Sequence, residues 1–130
     1  MISAIDRFRI VPLSATESRL LFDGSETKAI LNGLALEAQF ACDHGFLLWL
    51  TYDCPFEELL RIYLVSSEFE LLDQDQLGCI YTAGILMNLT ITGPDSLEFS
   101  FYGGDRWTLT IAGAKLKLAA KLKVGDAPQS

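Results

Sequence analysis

The sequence predicts a mainly β fold: an antiparallel meander that forms a bent sheet, a sandwich or a partly open barrel and that allows one short helix. Apolar residues recur at every second position along much of the chain, which is typical of strands with one buried face. Turn sequences rich in glycine and aspartate separate these runs. The chain has 130 residues, 50% of them hydrophobic, which is enough for one core. We expect a single β-rich domain over residues 1–124, with about eight or nine strands, and a frayed tail over residues 125–130.

The first element in chain order is a hairpin that turns at Asp23-Gly24, a sequence typical of two-residue turns. The flanking apolar runs 19–22 and 28–31 supply its strands. A short helix capped by Ser25 and ending at Gly33 is the alternative. The hairpin is favoured slightly.

The second hairpin turns at Asp43-His44-Gly45, where glycine falls at the position that needs a left-handed backbone in a three-residue loop. The predicted register places Cys42, Phe40, Ala38 and Leu36 opposite Phe46, Leu48, Leu50 and Tyr52. The strand over residues 46–52 is apolar at odd and even positions alike. We therefore expect it to be a central strand that is covered on both faces.

A further strand is expected from Leu59 to Ser66, after Pro55 interrupts the regular secondary structure. This segment considered alone could also be helical. The polar stretch that follows, from Glu68 to Asp75, has the composition of a solvated acidic loop.

The carboxy-terminal half reads as a three-stranded meander over residues 85–111, with loops at Gly93-Pro94-Asp95 and Gly103-Gly104-Asp105. The predicted register places Leu97 opposite Ile91 and Ile111, Phe99 opposite Leu89 and Leu109, and Phe101 opposite Met87 and Trp107. Polar residues occupy the other face. Residues 115–124 alternate lysine with apolar side chains for most of their length, which predicts an edge strand guarded by charge.

Composition excludes several function classes. The chain has 17 acidic and 10 basic side chains, for a formal net charge of −7, so a nucleic-acid partner is not expected. The longest uncharged run, residues 76–94, contains several polar residues and two glycines, and we expect no membrane association. Three cysteines at unpatterned spacings, together with charged residues in the first ten positions, predict a reduced protein in the cytoplasm.

No residue pattern predicts chemistry. Cys42, His44 and Cys54 are candidate zinc ligands by type, but the predicted hairpin separates the two cysteines by the length of a strand. His44 is the only imidazole, and no nucleophile or phosphate-loop motif accompanies it. We assign no catalytic, metal or cofactor-binding residues and expect no cofactor.

The charge distribution is the most distinctive feature. Residues 23–105 contain 14 acidic and 2 basic side chains, whereas residues 106–130 contain 5 basic and 1 acidic. Acidic loops of this kind can steer a basic protein partner. The predicted partner-binding residues are Asp53, Glu57, Glu58, Glu68, Glu70, Asp73 and Asp75.

These observations predict a non-enzymatic, cytosolic protein-binding domain with an acidic face, for example an inhibitor or immunity-type partner of a basic protein. One alternative is a β-barrel that carries a small apolar ligand. Another is an enzyme that uses Asp53, Glu57 or Glu58 as paired carboxylates. Self-association through an apolar face remains open.

Overall fold

The computed structural model describes residues 1–52, 59–78, 85–101 and 105–120. Strands and their connections account for these ranges, which contain no helix, and hence none that could span a membrane. The strands are β1 (Ser3–Ala4), β2 (Phe8–Pro12), β3 (Glu17–Phe22), β4 (Ser25–Asn32), β5 (Ala35–Cys42), β6 (Gly45–Thr51), β7 (Leu59–Val65), β8 (Leu71–Gly78), β9 (Met87–Gly93), β10 (Ser96–Ser100), β11 (Trp107–Ala112) and β12 (Lys115–Ala120).

The strands form three antiparallel sheets, and none of them closes into a barrel. The five-stranded sheet has the order β1-β5-β6-β7-β8, the four-stranded sheet β12-β11-β10-β9 and the three-stranded sheet β2-β3-β4. Two separate hydrophobic cores lie on the two faces of the five-stranded sheet. The fold is therefore a sandwich of three layers, with the five-stranded sheet in the middle.

The larger core lies between the five-stranded and four-stranded sheets. Its fully buried side chains include Trp49, Phe99 and Phe101, and the Trp49 and Phe99 rings meet edge to face at 4.9 Å. The smaller core lies between the five-stranded and three-stranded sheets. It contains Phe8 and Tyr63, so aromatic side chains supply much of the buried area in both cores.

Strand β6 is central and covered on both faces, as its sequence predicts. Leu47 and Trp49 belong to the larger core, whereas Leu48 and Leu50 belong to the smaller one. All four side chains are fully buried. A strand in the middle of three layers has no solvent face, which explains the missing alternation.

The predicted register of the β5–β6 hairpin is wrong by one residue. The turn has two residues, Asp43 and His44, and Cys42 pairs with Gly45 rather than with Phe46. Phe40 consequently lies opposite Leu47. Because residues 46–50 of β6 are all apolar, a one-residue slip exposes no apolar side chain, and the hydrophobic pattern could not fix the register.

The meander of β9, β10 and β11 is confirmed, but its registers are only partly as predicted. Leu97 does pair with Ile91, but Ser100 then pairs with Met87, past an irregularity at Asn88, whose φ is 56°. The β10–β11 pairing differs by two residues, since Leu97 lies opposite Leu109. A two-residue shift in the β10–β11 pairing keeps those side chains on their predicted face, and Leu97, Phe99 and Leu109 are buried. The prediction is wrong for Met87 and Ile91 of β9, which are 49% and 41% exposed, because β9 is an edge strand and its register against β10 shifts.

Of the other predicted elements, some are confirmed and one is wrong. The hairpin at Asp23-Gly24 and strand β7 are confirmed, and the alternative short helix is not formed. The predicted edge strand is confirmed over β12, and its residues 121–124 lie outside the described residues. The predicted acidic loop is wrong over most of its length, because residues 71–78 form β8 and pair with β7. Edge pairing with an apolar neighbour overrides the low strand propensity of the Asp-Gln repeat.

Gln39, on β5, holds β2 against the middle sheet. Its side-chain oxygen accepts hydrogen bonds from the backbone N–H groups of Arg7 (2.8 Å) and Phe8 (2.7 Å). Its amide nitrogen donates to the Phe8 carbonyl at 3.2 Å. The Gln39 side chain thus forms hydrogen bonds to the backbone of residues 7 and 8 of the kind that a neighbouring strand would form.

We expect Gln39→Ala to lower the free energy of unfolding by about 1–3 kcal/mol, because these backbone groups lose their partner in a partly buried setting. Urea unfolding followed by tryptophan fluorescence measures the change. Gln76→Ala, at an exposed position of β8, is the matched control and should change stability by less than about 0.5 kcal/mol. Equal effects of the two substitutions would contradict the role given to Gln39.

Candidate functional site

The connection between β7 and β8, residues 66–70, is a turn closed by several hydrogen bonds. We call it the acidic turn. The Ser66 hydroxyl accepts hydrogen bonds from the N–H groups of Glu68 and Glu70, each at 3.1 Å. The backbone closes the turn as well, since Ser66 N donates to the Glu70 carbonyl at 2.8 Å and Phe69 N to the Ser66 carbonyl at 2.9 Å. The Ser66 side chain and the backbone of the turn thus fix its conformation through local hydrogen bonds.

Phe69 anchors this turn. Its φ of 65° is unusual for a bulky residue, and its ring packs against Phe22 (5.2 Å between centroids), Phe46 (6.3 Å) and Phe8 (6.2 Å). Packing in this aromatic cluster offsets the backbone strain. The position of the turn is therefore fixed by the apolar contacts of Phe69, and its shape is fixed by its own hydrogen bonds.

The anchored turn presents two of the predicted partner-binding residues, Glu68 and Glu70, which are both exposed. Glu70 forms an ion pair with Lys28 of β4 at 2.9 Å. Among the ion pairs in the described ranges, none involves Glu68. Of the four predicted residues that the structure describes, Glu68 is thus the one that is exposed and outside these ion pairs.

Asp73 and Asp75 lie elsewhere. In β8 they stand opposite Leu64 and Ile62 of the larger core and are half-buried. Asp73 accepts a hydrogen bond from the backbone N–H of Leu116 at 2.7 Å, which ties β8 to the edge strand β12. These carboxylates face away from the side of β8 on which Gln74 lies.

The remaining predicted residues, Asp53, Glu57 and Glu58, lie outside the described residues. The chain resumes at Leu59, at the opposite end of β7 from Ser66. Seven residues of extended chain separate these two positions by roughly 23 Å, at about 3.3 Å per residue.

A groove of about 420 Å³ opens beside the acidic turn, between β4 and the start of β8. Ile30 and Leu71 line it and are 46% and 50% exposed. Tyr63 and Val65 of β7 line it from the smaller core. Its sides are joined by the ion pair between Lys28 and Glu70.

The edge of β4 borders this groove. Asn32 donates its backbone N–H to the Tyr63 hydroxyl at 3.0 Å, and the hydroxyl donates to the Asn32 carbonyl at 3.2 Å. Peptide groups alternate in direction along a strand, so those of Ile30, two residues earlier in a regular pairing with β3, also point away from β3. The groove thus exposes strand backbone beside apolar side chains.

The Tyr63 hydroxyl positions this edge, because it binds the N–H and C=O groups of Asn32 that a neighbouring strand would otherwise bind. The residue is 2% exposed, and burial raises the pKa of its phenol above the ordinary value. It therefore stays protonated and can donate and accept at the same time. Two further buried polar atoms, Trp49 Nε1 and Arg61 Nε, have no hydrogen-bond partner within the described part of the chain.

Sequence reasoning identified the acidic turn but missed the groove. The available signal was a pair of adjacent apolar residues in each of two strands that are otherwise largely polar, Ile30-Leu31 in β4 and Leu71-Leu72 in β8. Adjacent side chains in a strand point to opposite faces, so only one member of each pair can face a given core. The other member packs in a second core, as in β6, or lies on a surface or in a groove.

The described ranges contain no group of three or more His, Cys, Asp and Glu side chains that could hold a metal ion. Cys42, one of the candidate zinc ligands, is a half-buried free thiol, and burial raises its pKa above the ordinary value. Cys54 lies outside the described residues. Comparison of the chain with protein-family models, with curated proteins and with solved structures found no match.

Proposed function

We propose that this protein is a non-enzymatic, cytosolic protein-binding domain that takes an extended, basic segment of its partner along the groove between β4 and β8. The observation that carries the proposal is the meeting of three features in one place: strand backbone that points outward at Ile30, apolar side chains on both sides of the groove, and the acidic turn that presents Glu68 and Glu70.

Each feature supplies a different part of recognition. Outward N–H and C=O groups of β4 provide main-chain hydrogen bonds for a strand added at the edge. Ile30 and Leu71 provide contact area for alternate apolar side chains of that strand. Glu68 and the net charge of −7 favour Lys or Arg and raise the rate of encounter.

An inhibitor or immunity-type partner of a basic protein is one form of this function. Asp53, Glu57 and Glu58 stay predictions of further contact with such a partner. Asp73 and Asp75 are left out of the groove, because they lie on the other face of β8. The alternative of an apolar ligand inside a closed sheet has no support in three sheets that do not close.

The proposal predicts the outcome of selecting random twelve-residue peptides, displayed on phage, against the purified protein. Selected peptides should be enriched in Lys or Arg next to apolar residues at alternate positions. Glu68→Lys should weaken their binding by about tenfold or more, since a favourable charge contact becomes repulsive. Ile30→Asp should weaken it as well. Fluorescence anisotropy of labelled peptides measures both effects.

The matched control is Asp95→Lys, which makes the same change of charge at an exposed site in the turn between β9 and β10. It should leave peptide binding within about a factor of two, apart from the weak effect of overall charge. Two results would overturn the proposal: selected peptides without basic enrichment, or equal binding to the Glu68 and Asp95 variants.

A further inference from the structure

The edge strands of the three sheets differ in how they are protected. Natural proteins guard exposed edges with charges, with short strands or by covering them. The five described edges other than β9 fit this rule: β4 carries Glu26 and Lys28 in its first half, β8 carries Asp73 and Asp75 and lies against β12, β12 carries Lys115 and Lys117, β1 has only two residues, and β2 lies against the middle sheet through Gln39. In the described part of the chain, strand β9 has none of these three protections, and its pairing with β10 shifts register on either side of Thr90 and Ile91.

Strand β9 is an uncharged and apolar edge. In the described part of the chain it pairs with β10 alone, and residues 85–94 contain no charged side chain. Three of the large hydrophobic residues exposed on the protein fall in this segment: Ile85 at 71%, Met87 at 49% and Ile91 at 41%. Ile91 lies beside Leu97 and Met87 beside Ser100, so apolar side chains flank the edge on both faces of the sheet.

We propose that β9 pairs with β9 of a second copy of this chain, which joins two four-stranded sheets into one across a two-fold axis. Charge supports this occupant over others. Each copy carries a net charge of −7, so contact between two copies is least opposed where the surface is neutral, whereas a basic partner gains nothing from an uncharged edge. An antiparallel pair of identical strands is also self-complementary, as a two-fold interface requires.

This association and the proposed partner binding respond to salt in opposite directions. Salt screens the repulsion between two acidic copies, so pairing through β9 should strengthen as the salt concentration rises. Binding of a basic segment at the acidic turn should weaken under the same conditions. The two proposals can therefore fail independently of each other.

The test is the oligomeric state of the full chain, measured by sedimentation velocity over a series of protein concentrations. We expect a monomer that converts to a dimer as concentration rises. The double variant Met87→Lys and Ile91→Lys should weaken dimerisation by about tenfold or more. Since the two lysines bring the net charge closer to zero, general repulsion falls, and weaker association must come from the edge itself.

Ile30→Lys and Leu71→Lys together form the matched control, because they also replace apolar residues with lysine at comparably exposed sites, on the edges of the two other sheets. This variant should dimerise as well as the original chain. Thr90→Lys, at an exposed position of β9, gives a second test that removes no apolar contact. Amide hydrogen exchange over residues 89–92 should slow as dimer forms. A monomer at every concentration, or a dimer that both β9 variants leave unchanged, would overturn the proposal.

Discussion

Leu47→Ala and Leu48→Ala should each lower the free energy of unfolding by about 2–5 kcal/mol. The two leucines are neighbours in β6 and point to opposite faces of the middle sheet. Leu47 packs in the larger core and Leu48 in the smaller one, and both are fully buried. Each truncation therefore leaves a cavity under a different outer sheet. Urea unfolding of the two variants measures the losses.

This pair distinguishes three layers from two. In a two-layer sandwich one of two adjacent strand residues faces solvent, and its truncation changes stability by less than about 0.5 kcal/mol. Leu71→Ala is the control, since that side chain is 50% exposed and its loss should have this smaller effect. A small effect at either Leu47 or Leu48 would mean that one outer sheet does not cover β6.

The double coverage of β6 could be predicted from sequence because a strand that lacks alternation has no face suited to water. The same lack of alternation made the register between β5 and β6 unpredictable from the sequence. With Leu47 and Leu48 equally apolar, pairing Phe40 with either of them satisfies the hydrophobic pattern. Only the turn decides between them, and a two-residue turn at Asp43-His44 is as compatible with these residue types as the three-residue loop that was predicted.

The acidic residues, too, could be predicted only in part. Exposure of Glu68 and Glu70 follows from their place between two apolar runs. The strand that contains Asp73 and Asp75 could not be predicted locally, because those residues have low strand propensity and pair through the backbone with β7. Their carboxylates were expected to face a partner, yet Asp73 accepts a hydrogen bond from a strand 43 positions later in the chain. Such a contact leaves no trace in a sequence window.

Gly45→Ala should lower the free energy of unfolding by roughly 3 kcal/mol or more, for two reasons. The φ of Gly45 is 144°, a conformation that side chains rarely adopt. An added Cβ would also lie 2.0 Å from the Val65 carbonyl oxygen and 2.9 Å from Ser66 Cα. These are backbone atoms, so the clash is relieved only by moving the end of β7 or the turn after it.

Gly24→Ala separates the two reasons. Gly24 also has a positive φ, 84°, but an added Cβ there meets no atom within 4 Å. Its substitution should therefore cost about 1 kcal/mol, from the backbone conformation alone. Thermal and urea unfolding of both variants measure the difference. Losses of equal size would show that the Asp43-His44 turn does not approach β7 closely.

The contact at Gly45 also links the fold to the proposed site. Ser66, which the added Cβ would displace, accepts the hydrogen bonds that shape the turn and present Glu68 and Glu70. Gly45→Ala should consequently weaken binding of the selected peptides even under conditions where the variant remains folded, whereas Gly24→Ala should not. If the folded Gly45 variant bound these peptides as the original chain does, the turn would be positioned by its own hydrogen bonds and by Phe69, without support from β5 and β6.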